Sequence, residues 1–257
     1  MSEFLAEDLA DLHNHLVPGV DDGARTPGEA LHYLQQLHAE GVARLAVSPH
    51  LDGRLVHEDG AVRLRLERLR QGYEELLGYV AGHDDVPSLF FNQEVLVPDA
   101  ETARRICREE GVGLEGTSFL LVEFGFELGP DPSEVVEALL ESGRLPIVAH
   151  PERYRRLDDG HVRVEEIRRW KEAGAILQVN AGSVLGDYGE GIEELAWRLV
   201  SEGLVDLLST DHHAAHRVVS PARVGRVVAE RAGAAVARRL LSEDPQRILA
   251  GDPPLAL

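Results

Sequence analysis

Seven times along this chain a short apolar run ends in a polar loop and is followed by a stretch with helical spacing. That is the pattern of parallel strands joined by crossover helices. The runs are Leu9 to Leu12, Arg44 to Val47, Ser88 to Phe91, Phe119 to Glu123, Leu145 to Ala149, Ile176 to Val179 and Val205 to Ser209. Parallel neighbours need long return connections, so the pattern restricts the chain to an α/β fold. Seven such units in 257 residues, with no low-complexity linker, predict one domain spanning residues 1–257 and a closed (β/α)7 barrel. A doubly wound open sheet is the alternative, because spacing along a sequence does not show closure.

Helix starts are written into the loops. Thr26-Pro27-Gly28-Glu29 and Asp131-Pro132-Ser133-Glu134 each offer a capping side chain, a proline for the first turn and a glutamate at the third helical position. Asp244-Pro245 opens a last short helix in the same way. From Ala61 to Val80, the residues Val62, Leu66, Leu69, Tyr73, Leu76, Leu77 and Val80 share one helical face, and Arg63, Arg68 and Arg70 lie off it as a solvated face.

The 44% hydrophobic content supplies a core, yet no apolar run reaches the ~18 residues of a membrane span. The acidic start MSEFLAEDLADLH does not read as a secretory signal, so a cytoplasmic protein without membrane insertion is expected, with residues 1–8 as a flexible leader. Acidic residues outnumber Lys and Arg by 45 to 26, a net charge of -19, which opposes docking on nucleic acid. Oligomerisation stays open. The single cysteine, Cys107, excludes an internal disulfide and a Cys-x-x-Cys site. Its sixth following residue is Gly113, where a cysteine phosphatase of the Cys-x5-Arg kind needs arginine.

The twelve histidines carry more information. His13 and His15 follow the first run, with Asp22 in the same loop, and His50 follows the second. Glu94, Glu123, His150, Asn180, and then Asp211 with His213 follow or end the other five. Carboxyl ends of strands are where barrels and open α/β sheets assemble their sites. Imidazole and carboxylate without thiolate suit Zn, Mn or Fe, and so many donors call for more than one ion. In His13-Asn14-His15 the two imidazoles leave an extended segment on the same face.

The ordered set His13-Asn-His15-Leu-Val-Pro-Gly-Val-Asp-Asp22-Gly, Ser-Pro-His50, Asn-Gln-Glu94, Leu-Leu-Val-Glu123-Phe, Ala-His150-Pro-Glu-Arg153-Tyr, Gln-Val-Asn180-Ala-Gly-Ser183 and Thr-Asp211-His-His213 resembles the PHP superfamily. Within it, the set is similar to the bacterial protein-tyrosine phosphatases of capsule and exopolysaccharide systems (CpsB/CapC/YwqE type), from about Asp11 to the carboxyl-terminal helix. The resemblance implies a distorted TIM-like barrel with three divalent ions, manganese first, with iron, zinc or magnesium as alternatives. It assigns His13, His15, Glu94 and Asp211 to one ion. Glu94 as a bridge, Glu123 and His150 go to a second, and Asp22, His50 and His213 to a third. Arg153 and Arg217 are implied as the phosphate-holding arginines, an ion pair with Glu152 or Asp158 being the plainer role for Arg153.

The implied reaction is hydrolysis of phosphotyrosine by a metal-activated hydroxide, with a bacterial kinase's tyrosine-rich tail as substrate. A phenolate leaves with little protonation; should an acid assist, His212 and His216 are at hand, both expected to face solvent. Two other readings stand beside this one. One is an enzyme for another substrate, such as histidinol phosphate or an amide, and the other is an idle phosphotyrosine-binding regulator. The chain departs from the family at His50-Leu51, where a second histidine is usual, and at Phe124-Gly125-Phe126, where proline is expected. Both departures bear on specificity.

Overall fold

A computed structural model describes residues 6–129, 132–156 and 160–255 of the chain. Its strands are β1 (Leu9–Asp11), β2 (Val42–Val47), β3 (His50–Asp52), β4 (Ser88–Phe91), β5 (Glu94–Leu96), β6 (Phe119–Glu123), β7 (Glu127–Leu128), β8 (Leu145–Ala149), β9 (Arg155–Arg156), β10 (Gly160–His161), β11 (Ile176–Asn180) and β12 (Leu207–Ser209). The α-helices are α1 (Pro27–Ala39), α2 (Ala61–Val80), α3 (Ala100–Ile106), α4 (Ser133–Glu141), α5 (Val164–Ala173), α6 (Glu190–Ser201), α7 (Pro221–Ala232), α8 (Ala234–Arg238) and α9 (Asp244–Leu249).

All seven expected runs contain strands, and two of them are longer and broken. Two residues separate β2 from β3, and two separate β4 from β5. The lower halves pair as β1-β2-β4, and the upper halves continue as β3-β5-β6-β8-β11-β12, parallel throughout. Pro49 lies in the first break, where its missing N–H costs the ladder nothing. Closure comes from the segments beyond β1 and β12. Asn14 bridges His212 in parallel, the His15 N–H donates to the His212 carbonyl at 2.8 Å, and the Asp211 N–H donates to the His13 carbonyl at 2.8 Å. The sheet is therefore a closed barrel of seven staves with two kinked members, and the open-sheet alternative falls.

Alternation along the staves fixes what faces inward. Phe119, Leu121, Ile147, Ala149, Ile176 and Leu207 meet Ile248 of α9 in the barrel interior, while Leu120, Val122, Leu177, Val179 and Leu208 pack outward under the helices. Continuing the inward parity upward gives Glu123 on β6, Gln178 and Asn180 on β11, and Ser209 then Asp211 after β12. The same face is thus apolar at its amino end and polar at its carboxyl end, where the site forms.

Local expectations fare unevenly. Thr26 caps α1 by accepting the Glu29 N–H at 3.2 Å. Asp131 lies outside the described residues, and α4 starts at Ser133. Asp244 does not cap its helix: it is the first residue of α9, continuing from a π-helical turn (Arg239–Glu243), and its carboxylate accepts the Leu255 N–H at 2.7 Å. The expected leader is anchored at its inner end, since the Asp8 carbonyl accepts from Ser242 Oγ at 2.9 Å and Gln246 Nε2 at 2.6 Å. A small sheet, β10-β9-β7, lies outside the barrel order and carries Arg155 and Arg156. Among the described residues no helix is long and apolar enough to cross a membrane.

Candidate metal centre

The site starts with the residue between two histidines. Asn14 is turned away from the centre: its amide donates to the Ala46 carbonyl at 2.9 Å and its backbone N–H to Ser48 Oγ at 2.9 Å. This pins the segment to β2 and leaves His13 and His15 together on the opposite face. The loop after them folds back so tightly that a Cβ on Gly23 would lie 1.8 Å from the His15 carbonyl oxygen, so only glycine fits there. Asp21 and Asp22 are thereby carried over the histidines.

Each imidazole is fixed by an acceptor on its far side. His13 Nδ1 donates to Gln178 Oε1 at 2.8 Å, and His15 Nδ1 donates to Asp21 Oδ2 at 2.8 Å. With Nδ1 engaged outward, Nε2 is the nitrogen each neutral imidazole has free for a ligand, and the two Nε2 atoms face one another at 3.3 Å. Glu94 Oε2 completes a triangle, 3.2 Å from His13 Nε2 and 3.4 Å from His15 Nε2. Three donors bound at tetrahedral angles about 2.1 Å from a common centre would be separated by nearly these distances. Asp211 Oδ1 lies 3.5 Å from both imidazole nitrogens. Buried nitrogen and carboxylate oxygen atoms converging at these distances suit a cation, and this donor set fits a divalent metal.

Glu94 joins the rest. Its Oε1 is 2.8 Å from His150 Nε2, and its Oε2 is 3.0 Å from His50 Nδ1. Four overlapping groups have their donor atoms within 4.8 Å of one another: His13, His15 and Glu94; His13, His150 and Asp211; His50, Glu94 and Glu123; and His15, Asp22, His50 and His213. All nine expected metal-site residues therefore lie in one cluster. The grouping differs from expectation in detail, with His150 beside His13 and Asp211 as well as Glu94, and His50 shared between two groups. His13, His15 and His150 are buried, whereas Asp22 and His50 lie at the mouth. His150 and Asp211 leave their strands at φ 35° and 49°, a left-handed turn costing about 1–3 kcal/mol outside glycine.

Electrostatics follow from this crowding. Burial opposes charge on His13 and His15, but Glu94 and Asp211, with Asp21 on His15, outweigh it and hold both imidazoles above their ordinary value. Burial and the charge of Glu94 push Glu123 up to about 7. Asp21, despite burial, is drawn down to about 2 by His15 and two backbone N–H groups.

Arg153 and Arg217 meet on one atom. Both donate to Asp211 Oδ2, Arg153 at 2.9 Å, and Asn180 Nδ2 donates to the same oxygen at 2.7 Å. The ion pair of Arg153 is thus with Asp211 rather than with Glu152, and Asp158 lies outside the described residues. Glu152 points the other way, accepting from Ser183 Oγ at 2.7 Å and the Asn180 N–H at 2.9 Å, while burial pushes its carboxyl up to about 7. Between Asn180 and Ser183, a Cβ on Gly182 would sit 3.0 Å from the Tyr188 ring. The run Asn180-Ala-Gly-Ser183 thereby orients Asp211, seats Tyr188 and anchors the turn of Arg153.

Asp21, Gln178 and Tyr188 belong to this site and escaped the sequence reading. Gln178 was recoverable from its inward parity with Asn180, to which its Nε2 donates at 3.0 Å. Asp21 was masked by its neighbour Asp22, and Tyr188 follows a short 3-10 turn with no signal. His212 does not face solvent: it is 1% exposed and lies against Tyr33, ring centroids 4.8 Å apart. The expectation failed because His212 forms the barrel's closing bridge. His216 is exposed. Cys107 caps the end of α3, away from this cluster, and burial raises its thiol.

A closed α/β barrel whose strands end in a histidine and carboxylate cluster, with two guanidinium groups directed onto one of its carboxylates, defines a barrel protein built around a metal-type centre. The chain belongs to the capsular polysaccharide synthesis family CpsB/CapC, which matches residues 9–250. It is 29% identical over 208 residues to CapC of Staphylococcus aureus, covering 80% of this chain and 77% of that protein. It is 24% identical over 206 residues to the tyrosine-protein phosphatase YwqE of Bacillus subtilis (strain 168), again 80% of this chain and 77% of that one. Its fold is shared with a crystal structure from work on YwqE of Bacillus subtilis and CpsB of Streptococcus pneumoniae, described as unique metal-dependent tyrosine phosphatases: TM-score 0.73, 22% identity, covering 97% of this chain and 100% of that one.

Proposed function

We propose that this chain is a metal-dependent protein-tyrosine phosphatase of a capsule or exopolysaccharide system, working in the cytoplasm on the tyrosine-rich tail of a bacterial kinase. The observation that carries the reading is the buried triangle of His13 Nε2, His15 Nε2 and Glu94 Oε2, beside an Asp211 carboxylate that two arginines share.

In this reading His13, His15, Glu94 and Asp211 hold one divalent ion, Glu94, Glu123 and His150 a second, and Asp22, His50 and His213 a third, with manganese the first choice among Mn, Fe, Zn and Mg. Such ions, when bound, supply Lewis-acid charge and make water acidic enough to act as a nucleophile at neutral pH. Gln178 and Asp21 keep the lone pairs of His13 and His15 aimed inward. Arg153 and Arg217, held by Asp211, whose carboxylate Asn180 also orients, and by the ring of Tyr188, present guanidinium N–H groups to the equatorial phosphoryl oxygens, where charge is spread in the transition state. The phenol of tyrosine has a pKa of about 10, so its anion departs without the proton an alkoxide needs. No side chain has to form a covalent phosphoenzyme, and Cys107 has no part in the reaction.

The test is phosphate release from a phosphotyrosyl peptide and from histidinol phosphate, with and without added manganese. Manganese-dependent preference for the peptide is expected. Preference for histidinol phosphate, or no release from either, overturns the reading.

A further inference from the structure

Beside the centre runs a groove of about 460 Å³ bordered by Phe126, Arg153, Arg155, Tyr188 and Ile192. The guanidinium of Arg153 lies between two rings in it, 4.8 Å from the centroid of Phe126 and 4.6 Å from that of Tyr188. Phe126 in turn stacks on His150, centroids 5.5 Å apart and planes 17° from parallel. It is 46% exposed, so part of the ring remains open to the groove. Its backbone is nevertheless fixed, because its carbonyl accepts the Arg155 N–H at 2.8 Å and the Phe124 N–H is bonded to the buried Tyr154 hydroxyl at 3.2 Å. Arg155 is exposed, and its guanidinium makes no ion pair among the described residues.

We infer that this groove is the subsite for the leaving side of the substrate: Phe126 and Tyr188 take the phenyl ring, and Arg155 takes a carboxylate next to the phosphotyrosine. The inference rests on the phosphatase reading above. A phosphoryl group held by Arg153 has its ester oxygen beside that arginine, so whatever the oxygen carries falls against the two rings flanking it. A phenyl group gains ring contact there, and a methyl or serine side chain gains little. A guanidinium with no ion pair among the described residues, at the rim of the same groove, selects for acid nearby.

Two measurements test this on the metal-loaded protein. The first compares dissociation constants of phenylphosphonate and methylphosphonate, neither of which is hydrolysed. The wild type is expected to favour the phenyl compound at least tenfold, and Phe126→Ala or Tyr188→Leu to cut that preference about tenfold. If both phosphonates weaken equally in the variants, the rings merely brace Arg153 and the subsite is refuted; an unchanged preference refutes it as well. The second compares kcat/KM on phosphotyrosyl peptides with glutamate or glutamine flanking the phosphotyrosine. Arg155→Gln is expected to reduce an acidic-peptide preference of about tenfold to near unity, and a preserved preference removes Arg155 from the subsite. The phosphonate comparison needs no turnover. Loss of phenyl preference in a chain that releases no phosphate would sink the phosphatase reading alone, and turnover with an unaltered phosphonate ratio would sink the groove alone.

Discussion

Asp21 is the residue whose loss the geometry judges most sharply. Its side chain is 3% exposed and its two oxygens serve three N–H donors: Oδ2 takes His15 Nδ1 at 2.8 Å and the His50 N–H at 3.1 Å, and Oδ1 takes the Gly23 N–H at 3.1 Å. Asp21→Asn keeps the shape and replaces one oxygen by an NH2 group. With the amide oxygen toward His15, the Gly23 N–H faces a donor. With it reversed, the His50 N–H does, and His15 must move its proton to Nε2, which removes the lone pair from the centre. Either way one buried N–H is unpaired, a cost of about 1–3 kcal/mol. For a chain of this size that lowers the melting temperature by roughly 2–4 °C per kcal/mol. Loss of the carboxylate also lowers the basicity of His15, and partners of ligating histidines typically carry about 10–100-fold in metal affinity. Calorimetric titration of manganese into metal-free protein, wild type against Asp21→Asn, reads that factor directly. Unchanged affinity and stoichiometry, with melting within a degree of the wild type, would refute the role given to Asp21.

Three other outcomes follow from the same contacts. His150→Ala is expected to remove one metal equivalent and most activity; elemental analysis showing full metal content together with full activity would exclude His150 as a ligand. Arg153→Ala is expected to weaken inhibition by inorganic phosphate about tenfold or more while metal content holds, charge-assisted bonds contributing about 1.5–3 kcal/mol, and an unchanged inhibition constant would end its phosphate role. Far from the centre, burial would raise the Glu166 carboxyl, but Arg156 and the Arg163 N–H hold it below its ordinary value. A depressed native pKa gives stability that is present above the unfolded value and lost as pH falls through the native one. Glu166→Gln is therefore expected to cost about 1–2 kcal/mol at pH 7 in urea unfolding, with the gap to wild type closing below pH ~4; a gap independent of pH would contradict the charged pairing.

The sequence shows the site's chemistry more plainly than its construction. His13, His15, Glu94 and Asp211 are legible because each follows an apolar run, at the carboxyl ends of strands where α/β folds assemble their sites. The choice between Asp21 and Asp22 is not, because adjacent acids in one loop are identical to any pattern, and only the fold-back over Gly23 sends one to His15 Nδ1 and the other to His50 and His213. Closure was expected from seven strand-helix units, but spacing alone left an open sheet as the alternative, because closure depends on bonds from His15 to His212 and from Asp211 to His13, about two hundred residues apart. β3 and β5 were missed because two-residue breaks at Ser48-Pro49 and Asn92-Gln93 read as strand ends rather than kinks. Solvent exposure misled for His212, since a polar residue after a strand reads as loop until the barrel closes over it.

Asp211 shows how a chain of net charge -19 can receive a phosphate dianion. One of its oxygens faces the two imidazoles and the other gathers Arg153, Arg217 and Asn180. A buried carboxylate left alone would be costly, so the arginines have a structural reason to be there before any ligand arrives. Because Asp211 is also turned toward the cluster, the guanidinium groups that compensate it are held within a few ångströms of where ions would sit, and Tyr188 limits their movement. Surface charge is screened over about 8–10 Å at physiological salt, whereas partly buried charges at contact distance are screened much less. In the proposed reading the two arginines, with ions held by the cluster, would set the field that a phosphoryl group meets, and the acidic exterior would act mainly on the approach. Arg155 lies at the rim of the groove beside Arg153, and under the proposed subsite it is where an acidic peptide would first be favoured over a neutral one.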